Sequence, residues 1–129
     1  MSNMPDAMNA VRVAVDTWLK AKNIKLQSRN RTLQVAQGET WARMSVLNAT
    51  SESACLGQKH IRDRGIIVVS LFFPLGSGVA TADKICYSFR DAFSEWTYSY
   101  LETGVGEVNE VPSTQDFYHV NIHLPFRHN

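Results

Sequence analysis

Four histidines, two cysteines and a Gly-Ser-Gly turn are the groups in this chain best suited to bind a metal, attack a carbonyl or cradle a phosphate. Their spacing supports none of these chemistries. His119 and His123 stand four apart in a stretch that alternates like a strand, so their side chains share a face. A strand advances about 3.3 Å per residue, which puts them about 13 Å apart and too far to close one metal site. His60, Cys55 and Cys86 add no zinc-type spacing. Gly76-Ser77-Gly78 precedes a helical pattern, and a helix N-terminus can hold an anion. The lysine of a phosphate loop is missing, so the segment reads as a turn with Ser77 as helix cap. No serine sits in a nucleophile elbow, and neither cysteine has a basic neighbour that would activate it. Cys86 falls on an apolar helix stripe and reads as core filling. The expectation is a chain with no catalytic, metal or cofactor site.

Charge is the more informative pattern. Residues 17–38 carry Lys20, Lys22, Lys25, Arg29 and Arg31 and no acid. Residues 91–116 carry Asp91, Glu95, Glu102, Glu107, Glu110 and Asp116 and no Lys or Arg. These runs read either as solvated surfaces or as two complementary patches. No aromatics interleave with the basic run, so base stacking has no support. The net charge of +1 argues against a DNA-coating role.

The elements that must position these groups follow from periodicity. Met8, Val11, Ala14, Val15, Trp18 and Leu19 make one apolar stripe, predicting a helix over 6–22 with Pro5 and Asp6 at its start. Residues 23–38 are polar without a period and read mostly as loop. Residues 39–48 alternate: Trp41, Arg43, Ser45 and Leu47 face one way, Ala42, Met44 and Val46 the other. A polar connection over 49–62 leads to an aliphatic run, 63–73, that reads as a central strand covered on both sides and ended by Pro74. A second helix is predicted over 79–96, with Ala82, Ile85, Cys86, Phe89, Ala92, Phe93 and Trp96 on its dry side. Strands follow at 98–102, 107–111 and 117–126, the last with Tyr118, Val120, Ile122, Leu124 and Phe126 on one face. The predicted fold is α+β in α-β-β-α-β-β order, with two helices packed on a mainly antiparallel sheet.

The bulk composition agrees with one domain. The chain has 129 residues, 44% of them hydrophobic and 19% charged, which is ordinary for a globular protein. Two cysteines are too few for a disulfide scaffold, so reduced thiols and intracellular synthesis are expected. The first ten residues have neither a basic region nor an apolar core, so no signal peptide is expected. No apolar run approaches the roughly 20 residues that span a bilayer.

An ordered pattern begins with the strand after Gly38, Glu39-Thr40-Trp41-Ala42-Arg43-Met44-Ser45-Val46. Arg62-Asp63-Arg64-Gly65 then enters the aliphatic strand, which closes on Phe73-Pro74 before the Gly-Ser-Gly turn. An amphipathic helix with Ala82-Asp83-Lys84 and Phe89 follows, and the aromatic strand Phe117-Tyr118-His119-Val120-Asn121-Ile122-His123-Leu124-Pro125-Phe126 ends the pattern. From Trp41 to Phe126 this pattern resembles the phage tail terminator-like family; residues 23–37 fit it least. The resemblance implies a non-enzymatic subunit of a virion tail, made in the bacterial host cytoplasm, that assembles into a homo-oligomeric, typically hexameric ring. Such a ring caps the tail tube protein, stops its polymerisation and offers a surface to a head-completion or connector protein, while DNA passes through the lumen without specific binding. No cofactor and no membrane is implied. A ring needs two different patches on each subunit. Lys20, Lys22, Lys25, Arg29 and Arg31 are candidates for one, and Glu102, Glu107 and Glu110 for the other; alternatively the acids line the lumen. Lys59, Arg62 and Arg64, around the connection over 49–62, are placed to reach a neighbour or the tube. The competing readings are another head–tail joining or tail-completion adaptor, or a small-ligand-binding or hydrolytic domain.

Overall fold

A computed structural model describes residues 4–27, 39–53, 61–74, 76, 78–112 and 117–128. The elements run α1 (Met4–Ala21), β1 (Lys25–Leu26), β2 (Trp41–Ser53), β3 (Ile61–Pro74), α2 (Val79–Phe93), β4 (Thr97–Tyr98), β5 (Leu101–Thr103), β6 (Glu107–Val111) and β7 (Phe117–His128). The fold is α+β: two helices and one mostly antiparallel sheet. Its order is β1-β2-β3-β7-β5-β4, with β6 also paired to β7, and only β1 runs parallel to its neighbour. β6 pairs residues 119–123 of β7 and β5 pairs residues 126–128, so β5 and β6 lie end to end along one side of β7.

Ala7, Val11, Val15 and Leu19 recur every four residues in α1 and are fully or almost fully buried. The helix stops where Asn23 takes a left-handed φ of 60°, a conformation asparagine tolerates, and Lys22 N–H and Ile24 N–H turn back to the Leu19 carbonyl. Ala82, Cys86, Phe89 and Phe93 form the buried stripe of α2, and Trp18 meets Phe89 edge-on with centroids 5.2 Å apart. Both helices join one cluster with Ala42, Met44, Ile67, Val69, Leu71, Phe73, Val120, Ile122, Leu124 and Phe126. The register pairs Ala42 with Leu71 and Leu71 with Val120, so these strand residues share a face. Among the described residues no helix lies on the opposite face of the sheet.

Several expectations differ from the structure. The strands of the β2–β3 hairpin are longer than the apolar pattern: after a bulge between Asn48 and Thr50, pairing continues to Ser53↔Ile61. Ladder hydrogen bonds are made by backbone, so polar side chains in 50–53 do not end them. α2 ends at Phe93 rather than Trp96, because the Ser94 N–H and hydroxyl both donate to the Arg90 carbonyl while Ser94 is already extended. The cap position of α2 is Gly78, with φ +95°; the expected cap, Ser77, lies outside the described residues. The stretch 98–102 is a tight hairpin of β4 and β5, turning at Ser99 (φ 53°), rather than one strand. β1 falls in the stretch read as loop, and residues 28–38 lie outside the described residues.

Gly65 is fixed by close approach. A Cβ there would collide with the Leu47 carbonyl and come within 2.8 Å of the Phe126 ring. This is the point at which β3 crosses tightly between β2 and β7.

Candidate functional site

The lysines of the basic run are largely engaged within the subunit. Lys20 Nζ lies 3.1 Å from Asp16 one turn back, and Lys25 Nζ lies 3.2 Å from Glu39. Lys22 sits 5.5 Å over the Trp18 ring. Lys20, Asn23, Ile24, Lys25, Glu39 and Thr40 line an open cleft of about 480 Å³ between the end of α1 and the start of β2. Arg29, Arg31 and Lys59 lie outside the described residues.

Arg62 and Arg64 are on β3, opposite Glu52 and Thr50 of β2. Arg64 also faces Arg127 of β7. Arg127 Nη2 and Nε donate to Glu102 Oε2 at 2.8 and 3.1 Å, which ties β7 to β5 and neutralises one acid of the expected patch. Glu95, Glu107 and Glu110 are exposed and make no ion pair among the described residues. With Tyr98 and Tyr100, also exposed, they give the β4–β6 end of the sheet an acidic, tyrosine-bearing surface.

Thr103 fixes that end to the rest of the fold. Its hydroxyl donates to the Phe93 carbonyl at 2.6 Å and accepts from the Trp96 N–H at 2.8 Å. Gly106 N–H donates to Ser94 Oγ at 2.9 Å, and Glu95 N–H donates to the Gly104 carbonyl at 3.0 Å. The acidic residues therefore project from a hairpin pinned to the C-terminus of α2.

The helix-free face of the sheet carries a second cluster. Trp41 stacks on Phe72 with centroids 4.1 Å apart, His119 stacks on the same ring at 4.2 Å, and Phe117 meets Trp41 and Phe72 edge-on. Arg43 lies 5.5 Å over the Phe72 ring. Burial lowers the His119 pKa, a side-chain hydrogen bond with Asn121 opposes the shift, and the Arg43 charge adds to it. Ser70 donates to Asn121 Oδ1 at 2.7 Å, and Asn109 Nδ2 lies 2.8 Å from His123 Nδ1. The two histidines thus share a face as their spacing predicted, but each is engaged in the sheet by a different neighbour.

The alternation Trp41, Arg43, Ser45, Leu47 was visible in sequence. Periodicity alone does not say which of the two faces the helices cover, so it does not distinguish Arg43 and Leu47 as surface residues. Among the described residues no group of His, Cys, Asp and Glu is arranged to hold a metal. Burial, with Asp83 nearby, pushes the Cys86 thiol up to about 12, and the Tyr118 hydroxyl is raised to about 12 chiefly by burial. Both stay protonated at neutral pH. No helix among the described residues is long and apolar enough to cross a membrane.

Comparison with known proteins adds three findings. Residues 6–124 match the family described as phage tail terminator protein. Four chains among solved structures match; one of them, 18% identical, superposes with a TM-score of 0.67 over 95% of this chain and 95% of its own, which shows a shared fold. No curated protein matches the sequence.

Proposed function

The chain belongs to the phage tail terminator family, a family of structural proteins, and on that premise we propose that it closes into a ring that caps the tail tube, ends its polymerisation and presents the surface on which the head is joined. The observation that carries this reading is the separation of charge across the sheet. Glu107 and Glu110, in no ion pair among the described residues, lie on β6, beyond β7, while Arg43, the one basic residue of β2, lies on the other side of β3 and β7 in the strand order. Two unlike patches at opposite ends of one subunit are what a head-to-tail ring requires. The partners are then further copies of this chain, six in the typical ring, the tube protein on one side and a head-completion or connector protein on the other. DNA passes through the lumen without specific binding, and the protein resides in the virion tail.

A second reading, in which Glu107 and Glu110 face the lumen and repel DNA, is supported by the same lack of partners. Two measurements test the proposal. Native mass spectrometry of the purified protein with isolated tube ends present should show a closed ring of fixed copy number. Electron microscopy of particles made without the protein should show tubes that overrun their normal length. Normal tail length in its absence would overturn the proposal. Reversal of Glu107 and Glu110 that leaves the ring intact but makes it retain DNA would favour the lumen.

A further inference from the structure

We propose that the receiving half of the subunit contact is the bare sheet face around Arg43, Leu47 and Ile66, and that its occupant is the acidic β4–β6 end of a second copy of this chain. This inference rests on the ring reading and names the surface that makes it. Leu47 pairs with Ile66 and Ile66 with Pro125, so the three form one row across β2, β3 and β7 on the face without helices. Leu47 is 58% exposed, Ile66 37%, and Pro125 is exposed as well. Val68, Ser70 and Phe72, farther along β3 on this face, are buried, so exposure is confined to this row and its neighbours on β2; an exposed apolar row of this kind fits an interaction surface. Arg43 lies two residues along β2 on the same face, exposed, bonded to no carboxylate among the described residues, and held in place over the Phe72 ring.

The charge pattern selects the occupant. Lys20 and Lys25 already have acid partners in their own subunit, so they add little net attraction for a neighbour. Arg43 has none, and arginine beside aromatic rings is the cation that protein interfaces favour over lysine. At the far end of the sheet Glu107 and Glu110 make no ion pair among the described residues, and exposed Tyr98, Tyr100 and Val105 supply apolar and hydrogen-bonding surface beside them. Arg43 on β2 and Glu107 and Glu110 on β6 are separated in the sheet by β3 and β7, Glu107 opposite His123 on the helix-free face and Glu110 opposite Val120 on the helix side, and no ion pair among the described residues joins them. They meet when one copy follows another head to tail, which is the arrangement that closes a ring.

The test uses two full-length variants that should each fail alone and assemble together. Arg43→Glu makes the face acidic; Glu107→Arg with Glu110→Arg makes the end basic. All three side chains are exposed, and circular dichroism and thermal melting will verify the fold of each variant. In native mass spectrometry and sedimentation, each variant alone should need at least about tenfold more protein than the parent chain to assemble, because an attraction has become a repulsion. An equimolar mixture should regain assembly in rings holding equal numbers of both chains, since every contact then joins opposite charges. Lys84→Glu, the same reversal on the wet side of α2, should assemble like the parent. If the parent forms rings and Arg43→Glu does so equally well, or if the mixture does not recover, the assignment of this face is overturned while the ring stands. A parent chain that stays monomeric even with tube ends present overturns both.

Discussion

Replacing Thr103 by valine should loosen the acidic end of the sheet and cost the whole fold about 2–3 kcal/mol. The two side chains have nearly the same shape, so the change removes the hydroxyl and little else. That hydroxyl makes a 2.6 Å bond to the Phe93 carbonyl and receives a 2.8 Å bond from the Trp96 N–H, at a residue only 7% exposed. One net hydrogen bond contributes about 1 kcal/mol, and leaving a desolvated donor without a partner costs about 1–3 kcal/mol. The sum is held near the lower end because the Trp96 N–H is only partly buried. Thr103→Ser keeps the hydroxyl and loses one methyl group, a change worth about 1 kcal/mol.

Urea unfolding of the parent and both variants measures the totals, and hydrogen exchange at the Trp96 amide reads the local bond. The valine variant should show faster exchange at Trp96 before global unfolding, and the serine variant should not. If valine is within about 0.5 kcal/mol of the parent, or if serine costs as much as valine, the hydroxyl does not hold the hairpin and the reasoning is wrong.

Two other perturbations test the sheet. Gly65→Ala should destabilise by at least about 1–3 kcal/mol, the usual cost of overpacking, because the new methyl group meets the fixed Leu47 carbonyl as well as the Phe126 ring; a denaturant midpoint unchanged from the parent would refute the close approach. His119 has a lowered pKa in the fold, so the unfolded chain binds its proton first as the pH falls. Its contribution is therefore present above about pH 6.5, the ordinary histidine value, and is lost progressively below it. Stability measured from pH 8 to 5 should fall more for the parent than for His119→Phe, and equal slopes would show that burial against Phe72 does not govern the titration.

The elements rich in apolar residues were legible in sequence because burial imposes a period on them. The stripe ending at Leu19 in α1, the β3 run over 66–73 and the alternation of β7 all appear where expected. The misses have a common cause. The pairing of 50–53 with 61–64 and the β4–β5 turn are held by backbone bonds and by a left-handed Ser99, neither of which writes an apolar period. The candidate surface divides the same way. Charge runs are countable in sequence, but whether a charge is spent inside the subunit depends on its neighbours in space. Asp16 lies close to Lys20 along the helix, at i−4, yet Glu39 reaches Lys25 only because β1 lies along β2.

That distinction changes what the basic and acidic runs mean. A run of like charge suggests a patch, yet an ion pair exposed to water contributes at most about 1 kcal/mol and leaves little field for a partner to feel. Lys20 with Asp16, Lys25 with Glu39 and Arg127 with Glu102 are such pairs. Among the described residues, setting these pairs aside leaves Glu95, Glu107 and Glu110 in no ion pair at one end of the sheet and Arg43 nearer the other, with Arg12, Lys22 and Lys84 of the helical layer also in none. The residual pattern is smaller than the sequence suggests, but it is polar along the strand order. A subunit polar in that direction favours successive copies in one orientation over face-to-face pairs, because only the former brings opposite charges together at every contact. On the proposed ring reading, orientation is the property the contacts must specify, and a few side chains outside any ion pair would bias it.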